Sequence, residues 1–198
     1  MIQFNNLNQE IPYLIFKDKY NQALEANQFN IEAVCISSYS SEEKEVNARF
    51  VNLKFVNDKE FIFFSNYKSP KAKDFNSHTQ ITALIYWNSI NVQVRMKAKI
   101  KQTSREFNLE YFAQRDIKKN ALAISSNQSS QIASYEDVHK NYDKSLKVEN
   151  LKECPEYWGG YSFTPYYIEF WEGHESRLNK RDIYEMKSDK WKHSILQP

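Results

Sequence analysis

The stretch Val92-Gln93-Val94-Arg95-Met96-Lys97-Ala98-Lys99-Ile100-Lys101 decides the fold class, because apolar and polar side chains alternate along its whole length. Successive side chains of a β-strand point to opposite faces, so this alternation predicts a strand with one buried face and one solvated face. Strands of that kind are typical of antiparallel sheets. The segment therefore predicts an antiparallel sheet whose outer face carries amide and cationic side chains.

Further strands are predicted on both sides of this segment, with a helical insertion between them. The predicted strands cover residues 33–36, 46–56, 61–65, 81–88, 161–171, 177–186 and 191–196. Helices are predicted at 11–26, 70–77 with Ser69 as N-cap, from Thr103 or Ser104, at 117–124, and from Ser134 with Asp137 as capping-box partner. Residues 37–44 are expected to form a polar connection, and a change of parity near Phe50–Val51 predicts a bulge or a strand buried on both sides. The pattern predicts an α+β protein built on an antiparallel barrel with flanking helices.

The composition favours one folded domain over residues 1–198. Hydrophobic residues make up 41% and aromatic residues 15% of the chain, enough to build a sizeable core. The 27 Lys and Arg residues nearly balance the 25 Asp and Glu residues, so the charge pattern of a dedicated nucleic-acid binder is missing. Any anion site must therefore be local.

No membrane partner and no export are expected. The longest apolar runs, such as Phe61–Phe64 and Ala83–Trp87, fall far short of the roughly 20 residues that cross a bilayer. The N-terminus lacks the basic start and apolar middle of a secretory signal, so the expected location is cytoplasmic. The four histidines and two cysteines show no metal-ligand spacing, and no metal site is expected.

Glycine is too scarce for a phosphate-binding loop. The chain contains 3 glycines, which cannot form a GxGxxG or Walker-type motif. A bound phosphate would have to be held by side chains and helix ends. Arg49 and Lys54 lie in an otherwise apolar strand, and Lys71 follows the helix start at Ser69-Pro70, so an anion nearby would explain them. The alternative is that the lysines of this helix form a solvated face.

Three further groups suit an anionic ligand, each with a plain structural alternative. Gln128-Ser129-Ser130 offers an amide and hydroxyls, or is an ordinary polar loop. Tyr111 and Arg115 lie four residues apart on one helix face, where they could bind one anion or stabilise the helix surface. The segment 168–181 ends a strand in Trp171 and returns with Arg177 and Arg181, a combination suited to a flat anion, unless the tryptophan is core and the arginines are surface.

The segment Ile168-Glu169-Phe170-Trp171 followed by Arg177-Leu178-Asn179-Lys180-Arg181 resembles the C-terminal signature of the pyridoxine (pyridoxamine) 5′-phosphate oxidase family. Other family segments fall in the same order at comparable spacing. They are Arg49–Lys54, Phe64-Ser65-Asn66, Ser69-Pro70-Lys71-Ala72, Gln93, Tyr111-Phe112 with Arg115, Gln128-Ser129-Ser130 and Trp158-Gly159-Gly160. The resemblance extends from about Pro12 to Pro198.

The resemblance implies a split barrel that binds FMN at the interface of a homodimer. Its implied substrates are pyridoxamine or pyridoxine 5′-phosphate and O₂, with hydride transfer from C4′ of the substrate to N5 of FMN, and pyridoxal 5′-phosphate and hydrogen peroxide as products. The implied FMN-binding residues are Arg49, Leu53, Lys54, Phe64, Ser65, Lys71, Gln93, Gln128, Ser129, Trp171 and Arg181. The implied substrate-binding residues are Lys54, Tyr111, Arg115, Lys119, Arg177 and Asn179, with Arg177 the implied catalytic residue over the pyridine ring.

Three residues depart from the family pattern. Pro70 stands where the family usually has Arg, Lys119 falls near a usual Ser, and Asn179 replaces the signature His. The loss of one cation and of a titratable ring bears on activity more than on fold. Two alternatives therefore remain: a related split-barrel flavoprotein with another substrate, and a non-catalytic module that binds flavin or pyridoxal phosphate.

Overall fold

The computed structural model describes residues 1–148 and 150–198 of the chain. The strands are β1 (Gln3–Asn5), β2 (Ala33–Ser40), β3 (Glu45–Asn57), β4 (Glu60–Asn66), β5 (Gln80–Trp87), β6 (Val92–Gln102), β7 (Trp158–Glu172), β8 (Lys180–Lys187) and β9 (Lys190–Ile195). The helices are α1 (Ile11–Glu25), α2 (Pro70–Ser77), α3 (Arg105–Gln114), α4 (Ile117–Ser125) and α5 (Tyr135–Val148).

Six antiparallel strands close into a barrel. Around it the order is β3, β2, β5, β6, β7 and β4, and β4 closes the ring because it pairs with both β3 and β7. Strands β8 and β9 extend the sheet from β7, while β1 pairs in parallel with β3. The predicted α+β class and the antiparallel barrel with flanking helices are therefore confirmed. Strand β1 was not predicted, because three residues are too few to show an alternating pattern.

The core fills the barrel and the space under α1. The predicted inward residues of β6, from Val92 to Ile100, are all buried. Aromatic rings fill much of the remainder, with Phe61 packed edge-on against Phe16 of α1 at 5.0 Å between centroids and stacked on Phe163 at 5.3 Å. Among the described helices, none combines the length and apolar character needed to cross a bilayer.

The bulge lies at Lys54, between Leu53 and Phe55, instead of near Phe50–Val51. Val46 and Phe50 are 72% and 74% exposed on the outer face of β3. Because these outward-facing residues are apolar, the alternation of apolar and polar residues in the sequence shifts there although the strand itself stays regular. The true change comes later, where Phe55 and Val56 are both buried.

Strand β2 continues to Ser40, so the predicted connection 37–44 is wrong for its first half. Ser38 and Ser40 point inward and are buried, and the hydroxyl of Ser38 donates to Asp74 Oδ2 at 2.7 Å. Hydroxyl groups satisfied in this way are compatible with a buried face, which polarity alone did not indicate.

The turn between β7 and β8 also differs from the prediction. Strand β8 begins at Lys180, and Arg177 lies in the preceding turn with φ of 60°, a left-handed conformation that a strand does not contain.

The predicted starts of the helices are confirmed. Ser104 accepts from Phe107 N at 3.2 Å, and Ser134 accepts from Asp137 N at 3.1 Å. The carboxylate of Asp137 accepts from the Ser134 hydroxyl at 2.8 Å, so the return bond of the predicted capping box runs to the hydroxyl. Ser69 occupies the N-cap of α2, but its hydroxyl donates to Asn66 O.

Candidate functional site

A cavity of about 370 Å³ opens beside β3, β4, α2 and α3 and is bordered by the loop between α4 and α5. Many of the predicted site residues line this cavity. They are Arg49, Lys54, Phe64, Ser65, Lys71, Tyr111, Arg115, Gln128 and Ser129. The barrel strands supply the first half of this set, and the helical insertion supplies Tyr111, Arg115 and the loop residues.

One end of the cavity carries an excess of positive charge. Arg49 Nη2 lies 3.5 Å from Asp74 Oδ2, and its Nη1 donates to Ser38 Oγ at 2.7 Å. Lys71, three residues before Asp74 on α2, donates only to the hydroxyls of Ser65 and Ser69, both at 3.3 Å. Within the described residues, Asp74 is the carboxylate that pairs with this cation group. Two cations thus share one anion.

Burial makes this charge costly when no ligand is bound. Burial, followed by the nearby charge of Arg49, lowers the pKa of Lys71 to about 8. Burial also lowers the pKa of Arg49, although Asp74 opposes the shift. An anion placed between the two side chains would offset this repulsion, so Arg49 and Lys71 are the residues that could hold a phosphate or similar group.

Aromatic rings form another part of the wall. The ring of Phe64 stacks on Tyr111, with centroids 4.0 Å apart, and on Trp158 of the adjoining cavity, with centroids 5.0 Å apart and rings inclined by 8°. The guanidinium of Arg115 lies 5.1 Å from the Trp158 ring centroid. It donates to Lys119 O and Asn120 Oδ1, and burial lowers its pKa. The cavity therefore combines aromatic rings with a further cation, Arg115.

Gln128 attaches the loop to the barrel. Its Oε1 accepts from Ser65 Oγ at 3.0 Å and from Asn66 N at 3.1 Å. The next residue, Ser129, has a φ of 69° and lines the cavity. The loop thus reaches the same wall as β4.

Three predicted residues lie at the margin of this arrangement. Lys54 faces the cavity but pairs with Glu32 at 2.6 Å. Lys119 lines an adjoining cavity of about 220 Å³ together with Phe64 and Arg115. Leu53 is fully buried in the core, so its side chain does not line the cavity, and its role stays a prediction.

The remaining predicted residues form a second group on another part of the chain. Gln93, Trp171 and Arg181 stand side by side in one row across β6, β7 and β8. Arg177 is exposed in the turn before β8, and Asn179 Oδ1 accepts from His174 N at 3.0 Å within that turn. None of these five residues lines the cavity described above. One chain therefore brings the predicted residues together as two separate groups.

Several residues of these groups escaped the sequence reasoning. Asp74 is the counter-ion at the cationic end, and its spacing from Lys71 on one helix was the available signal. Trp158 completes the aromatic stack, but only its place before the glycine pair was noted. Arg95 and Glu169 are paired in the row next to that of Gln93, Trp171 and Arg181, and no alternation or spacing in the sequence singles them out on the outer sheet face.

The fold and site together define a split-barrel protein with a site for a flat, anionic ligand. The family model described as pyridoxamine 5′-phosphate oxidase matches residues 16–146, and that of the pyridoxine 5′-phosphate oxidase C-terminal dimerisation region matches residues 158–198. The chain belongs to the pyridoxine/pyridoxamine 5′-phosphate oxidase family.

Individual relatives agree with this assignment. The pyridoxine/pyridoxamine 5′-phosphate oxidase of Leptospira biflexa serovar Patoc is 32% identical over 189 residues, covering 94% of this chain and 89% of that protein. That of Paraburkholderia phytofirmans is 33% identical over 191 residues, covering 94% and 89%. Among solved structures, PhzG from Burkholderia lata 383 in complex with tetrahydrophenazine-1-carboxylic acid has a TM-score of 0.89 at 21% identity, covering 94% of this chain and 92% of that one. At that identity the last match establishes the fold alone.

Proposed function

We propose that this chain is an FMN-dependent oxidase that converts pyridoxamine or pyridoxine 5′-phosphate into pyridoxal 5′-phosphate. Oxygen is the electron acceptor and hydrogen peroxide the second product. The observation that carries the proposal is the cavity in which Arg49 and Lys71 share one carboxylate beside a wall of stacked rings. Family membership gives this cavity its ligand class.

The residues present fit FMN. Its phosphate is assigned to Arg49 and Lys71, whose shared positive charge lacks a second carboxylate among the described residues. Ser129 and the hydroxyl of Ser65 add hydrogen-bonding groups at the same cavity. Phe64 offers the flavin an apolar surface. Pro70 removes one cation relative to the family pattern, and Lys71 with the start of α2 is the remaining positive group there.

The substrate phosphate is assigned to Arg115 and Tyr111, with Lys54 and Lys119 beside them. Arg115 contacts main-chain and amide oxygens and no described carboxylate, so its charge is available to an anion. Arg177 and Asn179 are assigned to the substrate ring. Bound FMN supplies the hydride acceptor and the reaction with O₂, and the protein contributes position and charge.

The full site is proposed to form in a homodimer. Gln93, Trp171 and Arg181 face away from the cavity of their own chain, so a partner's copy of this row is needed to complete it. The outer sheet face also exposes apolar side chains, among them Phe50 on β3 and Tyr86 on β5. Residues 158–198 match the family's dimerisation region. On this proposal, residues 1–198 act as one FMN-binding unit whose site is shared between two copies.

The test is aerobic incubation of FMN-loaded protein with pyridoxamine 5′-phosphate. Pyridoxal 5′-phosphate, measured by its absorbance, and peroxide, measured by a coupled peroxidase assay, are expected in equal amounts. A protein that retains FMN but forms neither product contradicts the oxidase assignment.

Arg177→Ala separates turnover from cofactor binding. The variant should lower kcat/KM by about 10- to 100-fold, the effect of losing one charged contact, while FMN retention stays unchanged. Glu175→Ala in the same turn is the matched control and should behave like the unaltered protein. Equal loss of turnover and of FMN would contradict the role given to Arg177.

A second candidate is a split-barrel flavoprotein with a different substrate. The side-chain oxygen of Asn179 is engaged within its own turn, where the family signature has a histidine. Oxidation of another reduced ring compound, with no turnover of either B6 phosphate ester, would favour this candidate.

A further inference from the structure

Glu169 is the most enclosed ionisable side chain on the outer sheet face, at 2% exposure. It belongs to the segment 168–171 that marks the family, yet no function assigned above uses it. Its neighbour two residues on, Trp171, stands beside Arg181 in the row described above. Glu169 therefore lies next to the second group of predicted cofactor residues.

The two carboxylate oxygens of Glu169 serve two different arginines. Oε1 accepts from Arg181 Nε at 2.9 Å and lies 2.8 Å from Arg181 Nη2 in an ion pair. Oε2 accepts from Arg95 Nε at 3.1 Å, from Arg95 Nη2, and from the hydroxyl of Tyr167 at 2.9 Å. Both guanidinium groups are thus held edge-on to one carboxylate, Arg95 from β6 and Arg181 from β8.

This arrangement fixes Arg181 without neutralising the group. A guanidinium bound through Nε and one Nη has a fixed plane, and Arg181 Nη1 additionally donates to Gln197 O at 3.0 Å. Two arginines and one carboxylate leave one surplus positive charge. The same count of charges is found at the cavity, where Arg49 and Lys71 lie near one carboxylate, that of Asp74.

We propose that Glu169 is a positioning residue that orients Arg181 toward FMN. This inference rests on the proposed function, which assigns Arg181 to the cofactor. Without the negative charge of Glu169, Arg95 and Arg181 repel each other and the side chain of Arg181 loses its fixed direction. Arg95 is the other half of the clamp and holds the carboxylate in place.

The test compares FMN binding by full-length Glu169→Gln, Arg181→Gln and the double variant. Dissociation constants come from the quenching of flavin fluorescence, and the visible circular dichroism of bound FMN reports its surroundings. Glu169→Gln keeps the size of the side chain, so the protein should fold, as thermal unfolding without FMN will verify. Each single variant should weaken FMN binding by roughly tenfold, the effect of one charged contact.

The double variant is expected to bind no more weakly than Arg181→Gln alone, because Glu169 acts through Arg181. Glu172→Gln, on the same strand, is the matched control and should leave FMN affinity unchanged. Additive losses would mean that Glu169 acts through the fold and would overturn the inference.

The remaining outcomes separate the two proposals. Unaltered protein that binds no FMN overturns the proposed function and this inference with it. Binding that Arg181→Gln weakens and Glu169→Gln does not overturns the inference alone. Binding that neither variant weakens removes Arg181 from the FMN site and likewise overturns the inference.

Discussion

Among the described residues, two buried carboxylates, Asp74 and Glu169, each lie near two cations. Arg49 contacts Asp74 with Lys71 nearby on the same helix, and Arg95 and Arg181 both contact Glu169. Each carboxylate balances one of the two positive charges beside it, and the other positive charge stays available to a ligand. At the scale of single residues, each group of predicted site residues therefore carries one positive charge more than its buried carboxylate balances.

The lowered pKa of Lys71 predicts how the affinity for FMN depends on pH. The pKa is lowered to about 8, so the protonated form that attracts a phosphate is lost from that pH upward, where an ordinary lysine stays charged. The FMN phosphate is already a dianion above about pH 7, so this loss belongs to the protein. The FMN dissociation constant, measured by fluorescence between pH 6.5 and 9.5, should rise as the pH passes 8.

Lys71→Gln should weaken FMN binding at pH 7 by roughly tenfold and flatten this profile. Lys73→Gln, an exposed lysine on the same helix, is the control and should keep the profile of the unaltered protein. A profile that remains steep in Lys71→Gln would assign the titration to another group.

At the scale of elements, α3 is attached to β7 by a buried amide. Asn108, at 1% exposure, accepts from Gly160 N at 2.8 Å and from Thr103 Oγ1, and donates to Tyr67 Oη at 3.0 Å. The neighbouring Gly159 admits this approach, since a Cβ there would lie 2.4 Å from Asn108 Nδ2. The attachment sets the position of the helix that carries Tyr111.

Asn108→Ala should lower the free energy of unfolding by about 1–3 kcal/mol, because it leaves the buried Gly160 N–H without its acceptor. Urea denaturation of the protein without FMN measures the change. Asn76→Ala, an exposed asparagine on α2, should stay within about 0.5 kcal/mol of the unaltered protein. A loss no larger in Asn108→Ala than in this control would show that the amide is not the attachment.

At the scale of the whole molecule, the two groups of site residues lie on separate parts of one barrel. The cavity opens beside β3, β4 and the helices, whereas the row of Gln93, Trp171 and Arg181 crosses β6, β7 and β8. Exposed apolar residues, including Phe50 and Tyr86, lie on the outer faces of β3 and β5. A second copy of the chain would cover this apolar surface and join the two groups.

Phe50→Glu should shift the protein from dimer to monomer, because a carboxylate would be buried without a partner at the interface. Sedimentation equilibrium measures the mass and is the readout of this test, because Phe50 also borders the cavity and its replacement would change FMN affinity directly. Phe29→Glu changes a phenylalanine that is 82% exposed and lies outside the strands, and should leave the mass unchanged. A Phe50→Glu protein that remains dimeric would exclude this face from the interface.

The amino-acid sequence by itself determined the class of fold and most of the element bounds. The alternation of Val92–Lys101 and the caps at Ser104 and Ser134 depend on neighbours in the chain, so local patterns were sufficient to predict them. The bulge was misplaced because Phe50 is apolar and exposed, and a local pattern cannot distinguish an exposed apolar residue from a core residue. Residue patterns alone nominated most of the cations and polar groups of the site, and the resemblance gave them roles and added residues such as Phe64 and Gln93.

Only the tertiary structure decided which of those residues meet. Arg49 reaches Asp74 because α2 packs against β2, and Arg181 reaches Arg95 through Glu169 because three strands lie side by side. These contacts join residues far apart in sequence. The packing also buries the charged groups, and this burial determines how strongly their charges act on one another. For that reason the division of the site into two groups, and the counter-ion at the centre of each, could be found only in the folded chain.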